Sequence, residues 1–226
     1  MPPTLLARLP ELRDDFEAVA DPVRAVEMAA YMKGHFEFLG LPAAVRRSAQ
    51  KPVLNASARA SNSELLAFAD ACWDEDEREF QYTAADVLRK RAGALEPADL
   101  ARVRALIVTK SWWDTVDSLA VHVVGALVKA HPDLGDEMDA WIGDDDLWVA
   151  RTAMLHQLMW KDHTDADRLF AYARRKAGHP DFFMRKAIGW ALRQYARTDP
   201  DAVRAFVEDL GDTLSPLSRR EALKHL

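Results

Sequence analysis

An apolar periodicity close to 3.6 residues runs through nearly the whole chain, and it favours amphipathic helices. No stretch alternates apolar and polar residues in the way that a half-buried strand does. Glu96-Pro97 and Asp199-Pro200 mark helix starts, because each places a proline at a first helical position. The pattern predicts an all-α protein with helices over residues 24–35, 63–72, 76–91, 97–108, 111–130, 145–158, 165–177, 181–197, 199–210 and 215–225.

A weak internal repeat runs through the second half of the chain. Residues 148–158 (WVARTAMLHQL) and 182–192 (FFMRKAIGWAL) share an aromatic residue, Arg, Ala and Leu at equivalent positions, 34 residues apart. Short connections make successive helices antiparallel neighbours. A period of this length is typical of an α-solenoid, whose stacked repeats present one concave face. A simple helical bundle is the alternative.

Two charged residues interrupt the apolar faces of their predicted helices. Ser111 and Asp114 have the spacing of a capping box, which gives Asp114 a structural role. Asp117 has no such role, because it lies in the apolar stripe beside Trp113. Arg151 is a matching exception, and the 34-residue register places it next to Asp117. Two interpretations follow: a buried ion pair that fixes helix register, or a carboxylate and a cation that open onto a functional groove.

The predicted helix over residues 181–197 carries an aromatic residue among bases. Trp190 lies almost opposite the apolar face that contains Ile188 and Leu192. The bases on its side of the helix are Lys186, Arg193 and Arg197. Such a face fits a phosphate backbone together with a sugar or base surface. Alternatively, Trp190 packs against the next repeat and the basic side chains lie over it.

Charge is distributed unevenly along the chain. Thirty Lys and Arg oppose 36 Asp and Glu, and the net charge of −6 by itself argues against a nucleic-acid partner. Residues 133–146 hold seven acids and no base, whereas ten bases and four acids give residues 151–197 a net charge of +6. This basic stretch fits a DNA partner if its bases share one surface, and ordinary solvated helix faces are the alternative.

Composition excludes several other classes of protein. The 226 residues, 49% of them hydrophobic, predict a single globular domain over 1–226. One cysteine, Cys72, excludes a disulfide framework and fits a cytoplasmic protein. Apolar stretches are too short to span a membrane, and the first residues lack the layout of a secretory signal. Neither paired metal-ligand spacing nor a Gly-rich phosphate loop occurs, so no metal or cofactor is expected.

Four segments occur in an order that resembles a known family. They are residues 30–36 (AYMKGHF), 110–117 (KSWWDTVD), 147–158 (LWVARTAMLHQL) and 182–193 (FFMRKAIGWALR). Together they resemble the AlkD-type alkylpurine DNA glycosylases of the DNA alkylation repair family. The resemblance covers essentially the whole chain. It implies an α-solenoid of HEAT-like antiparallel helix pairs with a concave DNA-binding face.

The resemblance also implies a role for each matching position. Asp117 corresponds to the catalytic carboxylate, and Trp113 and Trp190 correspond to tryptophans that contact the deoxyribose of the lesion. Arg151 corresponds to the basic residue beside them that contacts the DNA backbone. The remaining residues expected to bind DNA are Tyr31, Lys33, Trp112, Lys186, Arg193 and Arg197.

The expected function is that of a monofunctional DNA glycosylase. The resemblance implies excision of 7-methylguanine and 3-methyladenine from double-stranded DNA, without a tight pocket for a flipped base. The protein is expected to act as a monomer, without metal or cofactor, in the cytoplasm at the nucleoid. Two alternatives stay open. One is a catalytically silent helical-repeat protein that binds DNA structures, and the other is a HEAT-type protein–protein scaffold.

Overall fold

The apolar periodicity of the chain corresponds to helices throughout the computed structural model, which describes residues 4–226. No strand occurs in this range, where the only extended pairing is one isolated bridge between Glu37 and Glu77. The all-α prediction is therefore confirmed. The α-helices are α1 (Leu9–Glu17), α2 (Pro22–Tyr31), α3 (Ala43–Ala49), α4 (Lys51–Ala56), α5 (Asn62–Asp74), α6 (Arg78–Lys90), α7 (Leu100–Val108), α8 (Trp113–Leu119), α9 (Gly125–Ala130), α10 (Gly135–Trp141), α11 (Leu147–Leu155), α12 (Ala166–Lys176), α13 (Phe182–Tyr195), α14 (Pro200–Leu210) and α15 (Pro216–Ala222).

Shorter helical turns join several of these elements. A π-helical turn, Ala120–Val124, continues α8 into α9. The 3₁₀ turns are Leu6–Arg8, Ser57–Arg59, Ala92–Ala94, Pro97–Asp99, Pro132–Leu134, Lys161–His163 and Gly211–Thr213. Each predicted helix is present, with ends that differ by a few residues. The predictions omitted α1, α3, α4 and α10, which are short helices of six to nine residues.

Within residues 4–226, side-chain caps fix the starts of seven of the fifteen α-helices. Asp199 accepts a hydrogen bond from the backbone of Ala202, as the Asp-Pro signal predicts. The start of α8 differs from the prediction, because the N-cap is Trp112 and not Ser111. Trp112 has extended backbone angles, and the helix therefore begins one residue later than the capping-box spacing suggests. Asp114 still lies in the first turn, where the helix dipole favours a carboxylate.

The chain divides into two compact units, residues 1–110 and 111–226. The prediction of a single domain stays a prediction. In the first unit, Phe16 packs against Phe80 with ring centroids 5.3 Å apart. The buried carboxylate of Glu79 accepts hydrogen bonds from the backbone N–H groups of residues 39–41, and so fixes the loop that precedes α3.

The second unit consists of two layers of helices. The first layer contains α8, α11, α13 and α15, which pack against one another in that order. The second layer contains α10, α12 and α14. There, the hydroxyl of Tyr172 donates to Asp139 over 2.5 Å and Arg174 pairs with Asp209 over 2.7 Å. These partners are 33 and 35 residues apart. Their separation agrees with the 34-residue register of the sequence.

Gly189 permits the close approach of α13 and α15. A Cβ atom at this position would lie 2.5 Å from Cβ of Glu221 and 2.9 Å from the carbonyl oxygen of Ser218. The hydroxyl of Ser218 also donates to the carbonyl oxygen of Arg185 over 2.9 Å. The last helix therefore lies directly on α13, with backbone groups in contact.

We expect Gly189→Ala to lower the free energy of unfolding by about 2 kcal/mol, because the added methyl group forces α15 away from α13. Gly178→Ala is the matched control, since nothing lies within 4 Å of the Cβ that it adds. Urea denaturation of both variants measures the difference. Equal stability of the two variants would contradict the tight α13–α15 contact.

Candidate active site

Three helices of the first layer carry the residues predicted to be catalytic. Asp117 lies on α8, Arg151 on α11 and Trp190 on α13. The starts of α11 and α13 are fixed by Asp146 and Asp181, whose carboxylates accept hydrogen bonds from backbone N–H groups of the first turn. The register of each helix, and hence the direction of its functional side chains, is set close to the site.

Asp117 and Arg151 form a bidentate ion pair. Arg151 donates from Nε to Oδ1 of Asp117 over 2.7 Å and from Nη2 to Oδ2 over 2.8 Å. Its Nη1 donates to the carbonyl oxygen of Phe183 at the start of α13. The predicted pairing is therefore present. The Arg151 side chain is 4% exposed and that of Asp117 is 15% exposed, so the cation is buried more deeply than the carboxylate.

Burial also changes the acidity of Asp117. It raises the pKa of this carboxyl group above the ordinary value, although the hydrogen bonds and the charge of Arg151 act to lower it. The negative charge of Asp114 adds to the increase. Each carboxylate oxygen has a second lone pair beyond the one that accepts from Arg151. A poorly solvated carboxylate of this kind interacts more strongly with a nearby positive charge than one in water does.

Two tryptophans belong to the same layer of helices. Trp113 is the first residue of α8, and Asp117 follows it by four residues, which places both side chains on one face. Trp190 follows Phe183 by seven residues, two turns further along the same face of α13. Both indoles are partly exposed. Trp113 therefore shares a face of α8 with Asp117, and Trp190 lies on another helix of the same layer.

An aromatic cluster adjoins the ion pair. Trp112 lies 5.7 Å from Trp148 and 5.0 Å from Phe183, and Trp148 lies 5.2 Å from Phe183, between ring centroids. Phe182, beside the cluster, is 56% exposed. Sequence reasoning did not include Trp148 or either phenylalanine in the site. The 34-residue repeat contained a signal for these residues, because it aligned Trp148 with Phe182. Phe182 precedes Phe183, whose ring contacts Trp148.

Two of the predicted DNA-binding bases share one acidic partner. Nζ of Lys186 lies 3.0 Å from Oε1 of Glu221, and Nη1 of Arg193 lies 2.6 Å from Oε2. Arg197, one turn further along, is exposed. Sequence reasoning did not identify Glu221. Its role depends on how α15 crosses α13, and helical periodicity carries no information about that crossing.

The basic stretch of the sequence does not form one surface. Arg168 and Arg174 belong to α12 in the second layer, where they pair with Asp139 and Asp209. The bases on α13 belong to the first layer. Because consecutive helices alternate between layers, a run of charge in the sequence is divided between two sides of the unit.

The remaining predicted DNA-binding residues lie in the first compact unit. Tyr31 is the last residue of α2 and is 74% exposed. Lys33 is exposed and has a φ angle of 58°, in the left-handed region that non-glycine residues rarely adopt. Both side chains are accessible to a partner from the surface of their own unit.

Candidate metal ligands do not cluster in the described part of the chain. Across residues 4–226, no three His, Cys, Asp or Glu side chains come together in a way that could hold a metal ion. Cys72 is fully buried in α5, and burial raises the pKa of its thiol. Over the same described range, no helix is sufficiently long and apolar to span a membrane.

Paired helices that hold a poorly solvated carboxylate, in a layer that also carries two partly exposed tryptophans, define a helical-repeat protein with a candidate site for stabilising positive charge. Comparison with known proteins identifies the family. A family model described as DNA alkylation repair enzyme matches residues 12–226, and the chain belongs to this family. Membership gives the protein an enzymatic role in DNA repair, with DNA as the substrate.

A solved structure has the same fold. It is described as a predicted DNA alkylation repair enzyme from Enterococcus faecalis, and it is 33% identical in sequence to this chain. The match covers 92% of this chain and 96% of that chain, with a TM-score of 0.86. No curated protein matches the chain.

Proposed function

We propose that this DNA alkylation repair enzyme is a monofunctional glycosylase that releases 7-methylguanine and 3-methyladenine from double-stranded DNA. The observation that carries the proposal is the Asp117 carboxylate, poorly solvated yet held as an ion pair by Arg151. The family assignment supports DNA as the substrate. The four sequence motifs, with Trp113 and Trp190 among them, support the alkylpurine glycosylase activity.

The reaction requires stabilisation of positive charge on a sugar. An alkylated purine is already cationic, so the electron pair of its C1′–N9 bond leaves with the base and neutralises it. Positive charge then develops at C1′ and O4′ of the deoxyribose. The Asp117 carboxylate stabilises this charge, and its free lone pairs can orient a water molecule. The water oxygen bonds to C1′ and its proton passes to solvent water, which leaves an abasic site and the neutral free base.

In this proposal, Arg151 acts through Asp117. Its three hydrogen bonds to Asp117 and Phe183 keep the carboxylate ionised and oriented, while its burial limits direct contact with a phosphate. The phosphate contact expected for Arg151 from the resemblance stays a prediction. Trp113 and Trp190 are proposed to pack against the deoxyribose, where their faces add cation–π stabilisation as charge appears. Selectivity then arises from the lability of cationic adducts, without a tight base pocket.

The test is release of free 7-methylguanine from methylated duplex DNA in the presence of a metal chelator. We expect release by the wild type and a loss of at least about 100-fold in Asp117→Asn, which still binds duplex. Asp139→Asn is the matched control, because Asp139 also forms a bidentate pair with an arginine, in the second layer. This pair is more exposed, so Asp139→Asn should lose less stability and should keep its activity.

The result distinguishes the proposal from its alternatives. Absence of release by a folded wild type that binds duplex would overturn the glycosylase and favour a DNA-structure-binding protein. Equal losses in Asp117→Asn and Asp139→Asn would indicate that Asp117 contributes only to stability. Absence of duplex binding at low salt would favour a protein–protein scaffold.

A further inference from the structure

Glu221 is the central group of a three-residue charge cluster on the first layer. Its carboxylate joins Lys186 and Arg193, which lie seven residues apart on α13, through one oxygen each. The Glu221 side chain is 14% exposed, less than that of Lys186 at 38% or Arg193 at 24%. The carboxylate therefore lies between two cations that are partly exposed to solvent.

Packing holds this carboxylate in place. Its Cβ lies against Gly189, which is located between Lys186 and Arg193 along the helix. The neighbouring Ser218 anchors α15 to α13 through its hydrogen bond to the carbonyl oxygen of Arg185. Hydrogen bonding to Lys186 lowers the pKa of Glu221, so the group is ionised at neutral pH. The cluster thus carries a net charge of one positive unit, although it contains two cations.

Lys186 and Arg193 are already expected from the resemblance to bind DNA, and we infer that Glu221 is an internal counter-ion that weakens their joint contact with a backbone phosphodiester of duplex DNA. A phosphate near the two cations meets the repulsion of the carboxylate and competes with it for their hydrogen bonds. Glu221 therefore limits the affinity of α13 for any duplex, damaged or not. The inference rests on the proposed function only because it takes duplex DNA as the partner.

Binding of undamaged duplex, measured as a function of salt, tests the role of the Glu221 charge. We expect Glu221→Gln to bind roughly 3- to 10-fold more tightly at about 50 mM salt, with a salt slope steeper by up to about 0.9. Screening should reduce the difference at higher salt. Glu221→Asp keeps the charge and should remain close to the wild type.

Asp209→Asn provides the matched control. It changes the net charge of the protein by the same amount and releases Arg174 from an ion pair, but in the second layer. Its affinity for duplex should change by less than about twofold, since exposed charges beyond a Debye length are screened. An equal gain in Glu221→Gln and Asp209→Asn would show a general charge effect and overturn the local site.

A double-mutant cycle tests whether Lys186 and Glu221 act together. Lys186→Gln should weaken duplex binding more in the Glu221→Gln background than in the wild type, because Glu221 partly neutralises Lys186 in the native protein. Unchanged or weaker binding by a stable Glu221→Gln variant would overturn the inference and assign Glu221 to scaffolding. Since the assay uses undamaged DNA and no excision, its outcome is independent of the glycosylase test.

Discussion

Replacement of Arg151 by methionine is expected to lower the free energy of unfolding by about 3–5 kcal/mol. The substitution removes three hydrogen bonds and leaves the Asp117 carboxylate without a partner in a largely buried position. Methionine approximates the volume of the arginine stem, so lost packing contributes little. Urea denaturation at neutral pH measures the change. A cost below about 1 kcal/mol would show that the pair contributes little to stability.

The same substitution should change how activity depends on pH. Arg151 lowers the pKa of Asp117 through hydrogen bonds and charge, while burial raises it. Without Arg151, nothing offsets the increase in the pKa of Asp117 that burial causes, so the carboxylate becomes protonated at a higher pH. If ionised Asp117 is required for base release, the acidic limb of the pH–rate profile moves to higher pH in Arg151→Met. An unchanged acidic limb would show that base release does not require ionised Asp117.

Two further variants separate these effects. Arg168→Met breaks the second bidentate Asp–Arg pair of the unit, but Arg168 is 26% exposed, so we expect a smaller loss of stability and an unchanged pH profile. The double variant Asp117→Asn with Arg151→Met removes both charges of the first pair. It should be more stable than Arg151→Met alone, because no unpaired charge remains buried. If the double variant is no more stable than Arg151→Met, the loss of stability in Arg151→Met comes from lost packing.

The sequence is sufficient to predict features that depend on positions within one helix or on the repeat. Asp117 and Arg151 each interrupt an apolar stripe, and the 34-residue register brings them together, as the bidentate pair confirms. Helical periodicity in the same way predicts where most helices lie. Both patterns are local, because they depend only on spacing along the chain.

Features that depend on how two helices cross cannot be predicted from the spacing of residues along the chain. The contact between Glu221 and two bases of α13 exists because Gly189 lets α15 approach closely, and the spacing of residues gives no crossing angle or distance. The division of the basic stretch between two layers has the same origin. The start of α8 at Trp113 depends on the extended backbone of Trp112, which neighbouring polar residues do not reveal.

A buried histidine is expected to make the protein sensitive to acid. His156 is 1% exposed, and its Nδ1 lies 2.7 Å from the carbonyl oxygen of Ala153. Its Nε2 has no hydrogen-bond partner, and the ring packs against Trp160 and Tyr172. Burial lowers the pKa of His156 to about 4 from an ordinary value of 6.5, and the charge of Arg168 contributes to the decrease.

The direction of the effect on stability follows from proton linkage. Below pH 6.5 the unfolded chain binds a proton at His156 that the folded protein excludes until the pH approaches 4. Stability from this residue is therefore fully present above pH 6.5 and is lost progressively as the pH falls towards 4. A difference of this size corresponds to about 3 kcal/mol of free energy of unfolding.

Urea denaturation between pH 4.5 and 7.5 measures this loss, with His156→Leu as the test variant. The wild type should lose stability relative to His156→Leu as the pH falls, because leucine cannot take up a proton. His179→Gln is the control, since burial lowers the pKa of His179 too, but this ring lies at a partly exposed position. It should preserve the wild-type slope. If the free energy of unfolding depends on pH in the same way in the wild type and in His156→Leu, the folded protein takes up a proton at His156 as readily as the unfolded chain does. That result would contradict the prediction.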